Sequence, residues 1–239
     1  PTIGPSNALQ FLVSSAVNPP PSGFPVLITA APDGSPSNGP SVNGGMDWEG
    51  SYVIFASKAS NLVAGDSNVA YDLFVRETCY AVQGACTPTT RRILMAADGS
   101  QSNGDSGWTV TNPENSLAVS FNARYVAFVS SASNLVAGDT NGADDVFLQD
   151  TCIGARTACT PTMVRASVRA DGSQSPLPVS YPSVADDGRY VVFVSGDSSM
   201  VAGDSNGVPD VFVRAAPTSG GARRQTSQTS GRVSGSAGS

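Results

Sequence analysis

The same alternation of apolar run and polar bend returns three times along the chain. It reads SYVIFASKASNLVAGDSNVAYDLF from Ser51, RYVAFVSSASNLVAGDTNGADDVF from Arg124 and RYVVFVSGDSSMVAGDSNGVPDVF from Arg189. Each copy is an apolar run, a polar bend, Ala-Gly-Asp, an Asn-containing turn, and an Asp that opens a second apolar run. Tyr52, Tyr125 and Tyr190 are 73 and 65 residues apart, and Asp66, Asp139 and Asp204 keep the same spacings. Self-similarity at a near-fixed period marks a repeat architecture.

The apolar runs are β-branched and aromatic, and no stretch has helical periodicity. Continuous runs such as Tyr190–Ser195 and Asp210–Arg214 predict strands buried on both faces. A weaker strand precedes each pair, around Val42, Leu117–Phe121 and Val179–Val184. With a fourth strand the unit reads as four short strands; in the third copy these fall near 182–185, 190–195, 210–214 and 223–226. Pro25–Ala30 reads as a leading strand belonging to a preceding unit. Asp-Gly turns at Asp33, Asp98 and Asp171 follow the same spacing, and Arg224–Gly231 is a degenerate fourth copy. The expected fold is all-β: a propeller or propeller segment of three four-stranded repeats.

At Pro182-Ser-Val-Ala-Asp-Asp-Gly-Arg-Tyr-Val-Val-Phe-Val-Ser195, followed by Asp210-Val-Phe-Val213, the chain resembles the TolB-like (WD40-like) propeller repeat family. The resemblance spans roughly residues 25–227, with Asn122-Ala123 and Glu49-Gly50 standing where the third copy has Asp187-Gly188. It implies the fold, but propellers host many functions. Ser6-Asn-Ala-Leu-Gln-Phe-Leu-Val13 followed by Asn18-Pro-Pro-Pro21 resembles the closing strand of an immunoglobulin-like IPT/TIG domain, which implies a piece of a longer surface protein. The chain begins at Pro1 with neither Met nor a signal sequence, which points the same way. The domain reading is therefore 1–23 strand and linker, 24–227 propeller repeats, and 228–239 a Ser/Gly-rich tail. Closed propellers have about four to eight blades, so the three repeats are expected to belong to a larger propeller, to be completed by another chain or other copies of this one, or to be capped in an unusual way.

Composition narrows the chemistry. Of 239 residues only 13% are charged, the net charge is −6, and Lys58 is the sole lysine, which argues against nucleic acid. Arg91-Arg92 and Arg223-Arg224 are pairs rather than a patch, and are expected on exposed strand positions. Histidine is absent, removing the commonest general base and zinc ligand. Four cysteines stand as Cys79-x6-Cys86 and Cys152-x6-Cys159, each within T-C-x6-C-T-P-T. That spacing favours two local disulfides, Cys79–Cys86 and Cys152–Cys159, over zinc, and hence an extracellular, cell-surface or periplasmic setting. No segment is long and apolar enough to span a membrane as a helix.

The loop Gly-Asp-[Ser/Thr]-Asn-x-x-x-Asp is the candidate site. Its polar positions are Asp66, Asn68 and Asp72; Asp139, Asn141 and Asp145; Asp204, Asn206 and Asp210. Two readings stay open. Oxygens at positions 1, 3 and 7 suit Ca²⁺, although the glutamate at position 12 of an EF-hand is missing. Alternatively, Asp and Asn cap local turns, and the Asp before each Val-Phe strand ties one unit to the next. Asp144-Asp145 and Asp186-Asp187 are neighbours on strands, so they point to opposite faces and do not form a glycosidase pair. Trp48 and Trp108 are expected to fill space between units rather than stack on a sugar. The functional expectation is a non-catalytic scaffold that binds protein or glycan, or assembles with itself into a filament or ring, with no cofactor. A calcium-dependent adhesion module and a propeller lyase or glycosidase are the alternatives.

Overall fold

The computed structural model describes residues 25–216 apart from Gln83 and Ala97. The expected strand and linker in 1–23, the tail and the strand near 223–226 lie outside the described residues. Among those described there are eleven strands and no helix. They form three antiparallel sheets in chain order. The first holds β1 (Ser41–Met46), β2 (Tyr52–Ser57), β3 (Asp72–Glu77) and β4 (Thr89–Arg92). The second holds β5 (Leu117–Val119), β6 (Tyr125–Ser130), β7 (Asp145–Asp150) and β8 (Thr162–Arg165). The third has β9 (Val179–Val184), β10 (Tyr190–Ser195) and β11 (Asp210–Ala215). Neighbours in sequence are neighbours in each sheet, the meander of a propeller blade.

Pro25–Ala30 forms no ladder. Ala30 makes a single bridge to Pro36 around the Asp33-Gly34 turn, so the expected leading strand is a bend. The equivalent stretch after β8 behaves alike, with Val168 bridged to Gln174. Proline at 25, 32 and 36 withholds the donors a longer ladder needs.

The repeat registers coincide. Phe55 pairs with Phe74, Phe128 with Phe147 and Phe193 with Phe212, each as a cross-strand ring pair about 6 Å apart. Alternate residues point to opposite faces, so every sheet has an aromatic face and an aliphatic one. The aliphatic face of the first sheet, with Ile54, Ala56, Leu73 and Val75, shares one core with Val126, Phe128 and Phe147 of the second. Ala127, Val129, Val146 and Leu148 of the second share the next core with Val191 and Phe193 of the third. The sheets therefore stack aliphatic face onto aromatic face, with β5 between β1 and β9.

Burial on both faces holds for β6 and β7 but not for β10 and β11. In the third sheet exposure alternates residue by residue, with Val211 71% and Val213 69% exposed. The corresponding Leu73 and Val146 are fully buried, because a following sheet covers them.

Candidate functional site

The three Asp/Asn loops join the second and third strands of each sheet and lie at equivalent places. A glycine with positive φ, at Gly65, Gly138 and Gly203, turns the backbone just before the first Asp. In the first loop the Arg92 guanidinium lies between two carboxylates, 3.4 Å from Asp66 and 3.2 Å from Asp72. In the second, Arg165 lies 3.3 Å from Asp139 and 3.6 Å from Asp145. Both arginines end the fourth strand of their sheet, opposite Phe74 and Phe147. Arg91 is exposed as expected, but Arg92 is not: its side chain is 12% accessible, since its strand position faces the acidic loop.

Position 3 of the loop divides its work. Asn141 donates to Asp145 at 2.9 Å and to the Ser175 carbonyl at 2.8 Å, and Asn206 donates to Asp210 at 2.8 Å. The Asn206 carbonyl oxygen accepts from Val208 N–H, an Asx turn. Asn68 donates to the Ser102 carbonyl, while its own Oδ1, Asp66 Oδ1 and Asp72 Oδ1 are buried without a hydrogen-bond donor. Burial raises the Asp72 carboxyl to about 6, with Arg92 pulling the other way. Burial likewise raises Asp66, Asp139 and Asp145.

Two residues to which the sequence pattern assigned no role complete these loops. Gln101 Oε1 accepts the N–H groups of Ser67 and Asn68, and its amide donates to the Gly65 carbonyl at 2.8 Å. Gln174 repeats this with Thr140, Asn141 and Gly138. Both occur in Asp-Gly-Ser-Gln, where the turn was legible and the side-chain target, about 35 residues upstream, was not.

The third loop differs. Asp204, Asn206 and Asp210 border an open cavity of about 540 Å³ with Val201 and Phe212. Asp204 Oδ1 is buried and has no hydrogen-bond partner, and no arginine among the described residues enters the loop.

Asp144 accepts from Thr109 at 2.5 Å and also from Thr111 and Asn112, on the segment between the first and second sheets. Asp186 accepts the Phe121 N–H at 2.8 Å, joining the third sheet to the second. Trp108 fills space as expected, packed 4.9 Å from Tyr71. Trp48 does not: it is 74% exposed and stacks on Phe121, itself 54% exposed. Trp48 sits on the turn before β2, outside the packed core, with its ring on Phe121 and most of its surface exposed. A cleft of about 490 Å³ between the first and second sheets is lined by Arg91, Arg92, Met95, Leu135, Gln149 and Met163 among others, with no carboxylate or tyrosine in its lining. Both expected disulfides, Cys79–Cys86 and Cys152–Cys159, are formed. No helix among the described residues is long and apolar enough to cross a membrane.

The geometry defines a class, an all-β stack of propeller-type blades. No family model matches the chain, and no curated protein matches it. Among solved structures, TolB from Acinetobacter baumannii aligns with a TM-score of 0.36 and 11% identity, over 74% of this chain and 30% of that one.

Proposed function

We propose that the protein is a non-catalytic, extracytoplasmic scaffold that assembles head to tail with copies of itself. The observation that carries this is the open aliphatic face of the third sheet. Tyr190 pairs there with Ala215, Val192 with Val213 and Val194 with Val211, and the counterparts of these four valines, Ile54, Val75, Ala56 and Leu73 in the first sheet, are buried. Exposed contiguous apolar surface of this kind marks an interaction site. At the other end the first sheet carries the same aromatic pattern in Val53, Phe55 and Phe74, where Leu62, Ile28 and Val63 already bury both rings and leave Val53 partly exposed. A non-closing contact of this type extends as a filament; one that closes gives a ring. The two disulfides support the extracytoplasmic setting.

Light scattering across a concentration series tests the assembly. Mass is expected to rise in steps of one chain, and Val213→Asp and Val53→Asp should each block it. Mixing those two variants should restore a heterodimer, because each keeps one intact end. A monomer at every concentration sinks the proposal. In this reading arginine supplies the positive charge in the first two loops, so EDTA leaves the melting temperature unchanged; a fall on chelation would favour the calcium-dependent adhesion module instead.

The exposed Trp48–Phe121 stack favours a second reading, glycan binding, since an uncovered indole face suits a sugar ring. Quenching or shift of tryptophan fluorescence by a panel of oligosaccharides, lost in Trp48→Ala, is its test.

A further inference from the structure

A position on the third strand of the repeat changes its chemistry in the second sheet. In the first and third sheets it is an arginine that reaches across to the segment leading into an Asp-Gly turn. Arg76 donates to the Ala30 carbonyl at 3.5 Å and Arg214 to the Val168 carbonyl at 3.2 Å. Both acceptors stand three residues ahead of the turn aspartate, Asp33 or Asp171. In the second sheet the repeat spacing puts Gln149 at the donor position and Met95, three residues ahead of Asp98, at the acceptor. Gln149 does not span the gap; its buried amide donates to the Asp150 carbonyl at 3.3 Å. Its ladder partner changes too, from Thr90, which Arg76 also bonds, to Met163. Gln149, Met95 and Met163 together line the cleft of about 490 Å³ between the first and second sheets.

A second exchange accompanies the first. Arg91 pairs with Val75, on the face turned toward the second sheet, whereas its counterpart Val164 packs into the core between the second and third. The cation has moved from the strut to the cleft wall. Arg92 beside it is held by Asp66 and Asp72, but the Arg91 guanidinium makes no hydrogen bond or ion pair among the described residues.

We infer that this cleft binds a small amphiphile with a single anionic head. The head, a carboxylate, meets the planar fork of Arg91, a geometry that arginine serves in bidentate fashion. The Gln149 amide supplies a further hydrogen bond, and the apolar body lies on Met95, Leu135 and Met163. The volume is that of small-molecule sites, which combine apolar walls with a few placed polar groups. No carboxylate in the lining competes for Arg91 or attracts a cation. The inference is independent of the assembly proposal, since the cleft lies within a single chain.

Calorimetric titration of the full chain with decanoate, kept below its micellar concentration, tests it. Binding at a single site per chain is expected, with decanol and decylammonium weaker by about tenfold or more, the worth of a charge-assisted hydrogen bond. Arg91→Ala should bring decanoate down to the affinity of decanol and leave decanol itself unchanged. The double change Arg91→Val with Gln149→Arg reproduces the arrangement of Val164 and Arg214 at unchanged net charge, and should abolish the site. Met163→Trp fills the same space without touching the charge and should do likewise, so the test stands even where the double variant does not fold. Failure of decanoate to bind, equal binding of the three amphiphiles, or full affinity in a folded variant with the cleft filled overturns the inference.

Discussion

Arg165 illustrates how much rests on single side chains. Its side chain is 7% accessible and faces Asp139 and Asp145, whose side chains are 4% and 1% accessible. Removing one partner of a buried ion pair leaves an uncompensated charge, so Arg165→Ala should cost about 3 kcal/mol or more, read as a fall in the chemical-denaturation midpoint. The Arg91→Ala change, on an exposed neighbour in the first sheet, should cost little. Asp72 gives a pH signature. Its carboxyl is raised from 3.8 to about 6 by burial, so the fold binds its proton more tightly than the open chain does. That contribution is complete below about pH 3.8 and is lost as pH climbs through about 6. The melting temperature should therefore rise between pH 7.5 and pH 5, and Asp72→Asn should flatten the slope. The acidic positions were legible because they recur. Their arginine partner was not, since Arg91 and Arg92 are indistinguishable until strand register assigns one outward and one to the loop.

At the scale of elements, the sheets are fastened by close approaches and short bridges. Gly188, at φ 69°, lies in the turn before β10, and a Cβ there would collide with the Tyr125 ring on the second sheet. Gly188→Ala combines that clash with backbone strain, so a loss of about 1–3 kcal/mol is expected in thermal unfolding. Each disulfide closes only a short loop, Cys79 to Cys86 and Cys152 to Cys159. Replacing Cys152 and Cys159 by Ser should cost about 2 kcal/mol and leave the strand content seen by circular dichroism intact. The paired apolar runs revealed every central strand, because their pattern is dictated by the sheet itself. Pro25–Ala30 misled for the opposite reason: the residues suit a strand, but nothing pairs with them beyond one bridge.

For the molecule as a whole, one rule of stacking explains where residues are buried. Aliphatic faces meet aromatic faces twice, and the third aliphatic face meets nothing among the described residues. The repeat was legible in the spacing of Tyr52, Tyr125 and Tyr190. Which face is exposed among the described residues was not, because β10 and β11 carry the same apolar pattern as β6 and β7 and differ in having no further described sheet packed against them. Single Val→Asp changes on the open face should leave thermal stability within about 0.5 kcal/mol of wild type while altering the sedimentation profile.

Gln101 and Gln174 reach back to fasten loops made some 35 residues earlier. A loop emerging during synthesis thus stays unlatched until the start of the next unit has been translated. Closure then travels in one direction, from the first loop to the second, so each of these two loops is secured by the unit that follows it.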